Sequence, residues 1–175
     1  IMLAAQRLKQ YPKSKILLVG PTKPLIDQYF LAFEKYFEIS KKEMAIFTGA
    51  TSPEERKTLW KKSSIIFSTP QSIENDIISK RITLENVSLL GIDEAHRAVS
   101  NYAYVWVSKQ YHTLAKYPLI IGLTASPGSE MEKITEVCNN LFIEEIEVRT
   151  ETDPDVSPYV QETKLEWVEV ELTKE

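Results

Sequence analysis

Val87-Ser88-Leu89-Leu90-Gly91-Ile92-Asp93-Glu94-Ala95-His96 is the stretch on which the reading of this chain turns. Its first part is a short apolar run, long enough for one strand and too short for a buried helix. Runs of this kind read as central parallel strands covered on both faces. In such sheets, ligands settle in the crevice beyond the carboxyl ends of the strands. The step from Ile92 to Asp93 and Glu94 puts two carboxylates at that end. An Asp there is suited to hold Mg²⁺, usually through water, while the cation bridges phosphate oxygens. The adjoining Glu is free to orient or deprotonate an attacking water. An isolated Asp-Glu pair more often marks a solvated helix start favoured by the helix dipole. The order Asp93-Glu94-Ala95-His96 behind an apolar strand favours the nucleotide site.

The 175 residues fit one domain with a sizeable core. Apolar content of 43% and charged content of 26% are ordinary for globular protein. No run of eighteen apolar residues offers a membrane span, and there is no signal-peptide pattern. The single cysteine, Cys138, excludes an internal disulfide framework and fits a reducing compartment. Two histidines and one cysteine give no metal cluster of ligand spacing. A net charge of -4 argues against gripping nucleic acid by charge alone, yet allows binding through amides, hydroxyls and a few lysines.

Outward from the central stretch, apolar runs at 16–20, 44–48, 64–68 and 119–123 read as further strands, with a sixth at 145–149. Helical spacing or charge pattern marks 1–11, 25–37, 53–61, 71–79 and 130–141, and a helix or pair of helices over 101–116. Strands alternating with helices mean βαβ units and a mostly parallel sheet. Asp153 to Pro158 reads as an irregular connection, with strand-like alternation from Val168 to Leu172. Ile1 to Leu8 is already in helical rhythm with no N-cap residue, so both ends read as cut from something longer.

Successive strands end in similar chemistry. The first gives Pro21-Thr22-Lys23, the second Thr48-Gly49, the third Ser68-Thr69-Pro70-Gln71 and the fifth Thr124-Ala125-Ser126. Any one of these is ordinary turn chemistry. In a parallel sheet all five, with the acidic pair, emerge along one edge.

On these strings the chain resembles the first motor domain of a superfamily 2, DEAH-type helicase. Pro21-Thr22-Lys23-Pro24-Leu25 resembles motif Ia, and Thr48-Gly49 and Thr69-Pro70-Gln71 the Ib-type motifs. Asp93-Glu94-Ala95-His96 matches motif II, and Thr124-Ala125-Ser126 motif III. Longer strings, Ser52 to Arg56, Thr69 to Asp76 and Asn101 to Val105 among them, are similar to the archaeal Hef helicase/nuclease and Fanconi anaemia M-type DNA translocase family. The resemblance implies a RecA-like three-layer α/β/α fold. Residues 1–150 would be the ATP-binding domain, and 151–175 a connection towards another. One departure is plain: no Gly is followed by Lys, so the triphosphate loop ending Gly-Lys-Thr or Gly-Lys-Ser is missing. It is expected just upstream of Ile1, and the fragment alone is expected to be inactive.

The resemblance further implies ATP and Mg²⁺ as cofactors, with Asp93 on the metal through water and Glu94 activating the water. His96 would couple the nucleotide site to Thr124 and Ser126. Thr22, Lys23, Thr48, Gly49, Thr69 and Gln71 would face the nucleic-acid strand. Tyr102, Tyr104, Trp106 and Tyr111 are able to stack on bases, but read as packing residues. The implied partners are branched or forked DNA, held without regard to sequence, and a second RecA-like domain in the same parent chain. The implied setting is DNA repair inside the cell, at the nucleoid and not at a membrane. Two other readings stand beside it: an RNA-dependent ATPase of the double-stranded-RNA sensor type, and a non-catalytic nucleic-acid-binding module with a helicase fold. Intact Asp93 and Glu94 count against the latter.

Overall fold

The computed structural model describes residues 1–128, 130–161 and 166–168. Helices alternate with strands: α1 (Met2–Gln10), β1 (Lys15–Val19), α2 (Lys23–Tyr36), β2 (Met44–Phe47), α3 (Pro53–Lys62), β3 (Ile65–Ser68) and α4 (Pro70–Ile78). Then come β4 (Val87–Asp93), α5 (Ala103–Leu114), β5 (Ile120–Leu123) and α6 (Met131–Leu141). Short 3₁₀ turns lie at Lys41–Glu43, Ala95–Arg97 and Ser157–Tyr159. The helix starts carry the chemistry that helix starts require. Ser52 caps α3, its hydroxyl accepting from the Glu55 amide at 3.3 Å, with Pro53 at the first helical position. Glu54 and Glu55 in its first turn, and Lys61 and Lys62 in its last, complement the helix dipole.

All pairings in the sheet are parallel, in the order β2-β3-β1-β4-β5. Side-chain alternation divides its two faces. Leu17, Phe47, Ile66, Leu90 and Ile92 pack with Trp60 of α3, Ile73 of α4, Tyr104 and Tyr111 of α5 and Leu141 of α6. Ile16, Met44, Ile65, Phe67 and Leu89 face α1 and α2 through Ala4, Ile26 and Phe33. This is the RecA-like three-layer α/β/α fold that the sequence implies. Each fully buried Ile, Leu or Phe is worth about 1.5–3 kcal/mol over its exposed state, so a one-residue slip of a central strand would be prohibitive. The four aromatic residues with stacking potential belong to this packing: Tyr104 and Tyr111 are buried, Tyr102 and Trp106 half-buried.

One expected element is absent. Glu145 to Arg149 forms no strand, although Ile146 and Val148 alternate with charged residues. Both apolar side chains are exposed, and no ladder includes the segment. Strand stability comes from cross-strand neighbours and a surface to cover, and here the pattern has neither. The chain divides into two units, Ile1–Glu144 and Glu145–Glu175. In the second, Arg149 pairs with Asp155 at 3.1 Å and the Asp153 carboxylate accepts from the Thr150 amide and hydroxyl. Hydrogen bonds from that amide and hydroxyl hold the Asp153 carboxyl below the usual carboxylate range. The strand-like alternation at 168–172 lies almost wholly outside the described residues.

Candidate nucleotide and nucleic-acid site

Because every strand runs the same way, the five loop segments do emerge along one edge. The strand order, however, sorts them. Thr48 and Gly49 follow β2, Thr69 and Gln71 follow β3, and Thr22 and Lys23 follow β1. Asp93, Glu94 and His96 follow β4, and Thr124 and Ser126 follow β5. The hydroxyl- and lysine-bearing loops thus occupy one half of the edge, and the acidic group with its partners the other. At the boundary between β1 and β4 the connections leaving the two neighbouring strands run in opposite directions across the sheet, the switch point at which such folds bind ligands.

At the end of β4 the backbone turns sharply. Glu94 adopts φ 52° and ψ 48°, the left-handed region. For a residue with a side chain this conformation costs on the order of 1–2 kcal/mol, and it is held only where surroundings enforce it. It directs the carboxylate back over the following 3₁₀ turn, where Glu94 Oε2 lies 3.2 Å from His96 Nδ1. The same nitrogen is 2.9 Å from Thr124 Oγ1. Thr124 Oγ1 also accepts from the Ser126 amide at 3.1 Å. A carboxylate can only accept, so its contact with Nδ1 favours the tautomer with hydrogen on that nitrogen. His96 Nδ1 thus lies against both the β4 loop, at Glu94, and the β5 loop, at Thr124. Thr124 and Ser126 are exposed; Asp93, Glu94 and His96 are half-buried.

Two close approaches bring these loops together. A Cβ on Gly122 would lie 3.0 Å from the Ala95 Cβ, tighter than ordinary contact. Small residues at both positions let the end of β5 lie against the 3₁₀ turn. Beneath, the Tyr104 hydroxyl donates to the Asp93 carbonyl at 2.8 Å, tying α5 to the last residue of β4. Burial pushes the Tyr104 phenol far up, so it remains a neutral donor. From the other face, the Tyr29 phenol of α2 is pushed up to about 12, first by burial, then by the charge of Asp93 and a hydrogen bond to its carboxylate. Tyr104 and Tyr29 were not legible as site residues, since nothing in the sequence near either of them differs from core packing.

Asp93 fits a hard divalent cation held in part by water and phosphate: one half-buried carboxylate at the switch point, with no competing ligand set. Among the described residues no group of three or more His, Cys, Asp or Glu forms a closed metal site.

In the other half of the edge, Thr22 is exposed at the N-terminus of α2, and Lys23 pairs with Asp27 at 2.6 Å. That exposed pair is weak and leaves the ammonium free to exchange partners. Thr48 is buried, its hydroxyl accepting from the Ala50 amide at 3.3 Å, whereas Gly49 is exposed. Thr69 shares a 2.9 Å hydroxyl–hydroxyl bond with Ser72 in the first turn of α4, and Gln71 is exposed. Behind these loops lies a charge pair that sequence patterning hides. Arg56, within the charged run of α3, is buried and forms a two-pronged pair with buried Asp76 of α4 at 2.6 and 2.9 Å. Its spacing from Trp60, also buried, was the available signal.

The fold and the acidic switch point define a class, the RecA-like α/β domains of nucleotide-driven helicases. A family model of the DEAD/DEAH box helicase matches residues 1–134, and the chain belongs to that family. It is similar, at TM-score 0.88 and 52% identity, to the crystal structure of the Pyrococcus furiosus Hef helicase domain, over 95% of this chain and 35% of that one. A Methanocaldococcus jannaschii protein named as a candidate ATP-dependent RNA helicase is 41% identical over 92% of this chain and 20% of its own length. The Fanconi anemia group M protein homolog of Mus musculus is 36% identical over 94% of this chain and 8% of its own length. The ATP-dependent DNA helicase fml1 of Schizosaccharomyces pombe is 38% identical over 96% of this chain and 20% of its own length. The chain thus spans a fifth or less of these curated relatives. No helix among the described residues is long and apolar enough to cross a membrane.

Proposed function

We propose that this chain is the first motor domain of an ATP-dependent DNA helicase or translocase that works on branched or forked DNA in repair, inside the cell. Residues 1–150 would form the domain and 151–175 the connection to the next. The observation that carries the reading is the contact set Glu94–His96–Thr124 beside Asp93 at the sheet's switch point. Asp93 would hold Mg²⁺ through water. Bound there with ATP, the cation would supply charge neutralisation to the phosphate oxygens. Glu94, its carboxylate set beside His96 after the left-handed turn, would orient a water and accept its proton. His96 would pass the state of that carboxylate to Thr124 and, through its loop, to Ser126. The triphosphate loop and a second RecA-like domain would come from the rest of the protein.

Thr22, Lys23, Gly49, Thr69 and Gln71 would meet the DNA strand through amides, hydroxyls and one ammonium, with buried Thr48 setting the turn behind Gly49. Such contacts position a phosphate backbone without reading bases, which suits a motor that must move along any sequence. The net charge of -4 agrees with a grip made of few charges. The RNA helicase name of the Methanocaldococcus jannaschii relative keeps an RNA-dependent ATPase as the second reading. The test is hydrolysis by the full-length protein with forked DNA, single-stranded DNA and double-stranded RNA. The DNA reading expects stimulation by DNA, greatest with the fork, and little by RNA. Stimulation by RNA alone would overturn it in favour of the second.

A further inference from the structure

Among the described residues Arg56 is the only guanidinium that lies wholly inside the fold, and its N–H groups reach two separate segments. Nε and Nη2 clasp the Asp76 carboxylate of α4 at 2.6 and 2.9 Å. Nη1 donates to the Thr48 carbonyl at 3.3 Å and to the Thr51 carbonyl. The turn 48–51 leaves β2, and α4 begins directly after β3. The pair therefore spans the two neighbouring loops proposed to face nucleic acid. Within the turn, Thr51 N–H donates to Thr48 O at 3.1 Å and the Ala50 amide to the Thr48 hydroxyl at 3.3 Å, and the Thr51 hydroxyl donates back to the Ile46 carbonyl of β2 at 3.2 Å. At its tip, no atom lies within 4 Å of where a Gly49 Cβ would be. The tip is open to solvent while its base is held from within. A guanidinium suits this task because its planar fork meets a carboxylate on one side and carbonyls on the other, which an ammonium cannot do.

We propose that Arg56, clasped by Asp76, is a positioning residue that holds the Thr48–Thr51 turn in register with the start of α4, so that Gly49 and Thr69 present one phosphate-binding track. This rests on the strand-facing role proposed above for those loops. The pair works as a bracket and touches no phosphate itself. The hydrogen bond to Asp76 raises the already high Arg56 pKa, so the guanidinium stays charged.

Two variants separate the bracket from general stability. Removing one buried charge strands the other, but replacing both by apolar groups of similar volume is often neutral for folding. Arg56→Met with Asp76→Leu should therefore fold, and Arg56→Lys keeps the charge while losing the fork. The full-length protein is titrated with single-stranded DNA across salt concentrations, beside nucleotide affinity, hydrolysis at saturating DNA, and hydrogen exchange at residues 49–51. In either folded variant we expect DNA affinity to fall about tenfold, the worth of one or two lost hydrogen bonds. The slope of log affinity against log salt should stay that of the parent, because Gly49 and Thr69 carry no charge and no phosphate-neutralising cation is lost. Amide exchange in the turn should quicken, with nucleotide affinity and saturated turnover within about twofold of the parent, as for contacts made only with the strand. Unchanged DNA affinity in a folded variant would overturn the proposal, as would nucleotide affinity falling in step with DNA affinity. A parent that binds neither DNA nor RNA would overturn the strand-facing reading instead, whatever the exchange data show.

Discussion

His96 Nδ1 and Thr124 Oγ1, 28 residues apart in the chain, lie 2.9 Å from one another across the ends of two paired strands. Neither side chain is buried, so this bond is not needed to satisfy the core. Its value lies in what it connects. Replacing Thr124 by Val and Ser126 by Ala in the full-length protein should lower strand separation more than DNA-stimulated hydrolysis. Parallel assays of the two activities decide it. Equal losses would make the loop a simple support of the nucleotide site, and unchanged unwinding would remove the relay through His96.

Glu94→Gln keeps the shape and the left-handed turn but removes the proton acceptor. Nucleotide affinity should stay within about threefold of the parent, while turnover falls by about 10²–10⁴, the usual worth of a general base. Nucleotide binding beside steady-state hydrolysis checks this. Near-normal stimulated turnover would take the base role away from Glu94.

Tyr104→Phe removes one hydroxyl from a buried ring and leaves its packing intact. The Asp93 carbonyl loses a 2.8 Å donor. Stability should fall by about 1 kcal/mol, the net worth of one neutral hydrogen bond, with a further fall in turnover at saturating nucleotide because the end of β4 is less firmly set. Thermal unfolding and kcat, measured together, check both parts. Lost stability with unchanged kcat would confine Tyr104 to the core.

Gly122→Ala puts a methyl group 3.0 Å from the Ala95 Cβ, where backbone and not a flexible side chain must yield. A destabilisation of about 1–3 kcal/mol is expected, as for other overpacked sites. The displaced 3₁₀ turn should also lengthen the His96–Thr124 contact. Ala95→Gly in the same chain should restore part of the stability. If it restores none, the strain lies on another side of Gly122.

The strands and the acidic pair could be read from the sequence because buried parallel strands announce themselves as unbroken apolar runs, and the order Asp93-Glu94-Ala95-His96 behind one of them is rarer than an isolated acidic pair at a helix start. Spatial order could not. Nothing in β1, β2 or β3 says that β3 enters between the other two, yet that order sorts the loops into two sets. Residues 145–149 misled for the opposite reason, since their alternation is a local property and a strand's partner is not. Arg56 and Asp76 are hard to read because charged residues on helices are mostly solvated; the spacing of Arg56 from Trp60 hints at its burial, but its partner twenty residues on leaves no local trace. The turn at Glu94 was equally hidden, because a left-handed backbone is predictable from sequence chiefly at Gly and Asn.

The place of β1 has a further consequence for how a motor of this kind would transmit force. Its loop, with Thr22 and Lys23, is flanked by that of β3 on one side and that of β4 on the other. Neighbouring strands are about 4.8 Å apart. Fuel and track would then meet along a single seam one strand wide. On the proposed reading, Asp93 and the loop bearing Thr22 and Lys23 would be joined by the β1–β4 ladder itself, in which Val19 pairs with Ile92.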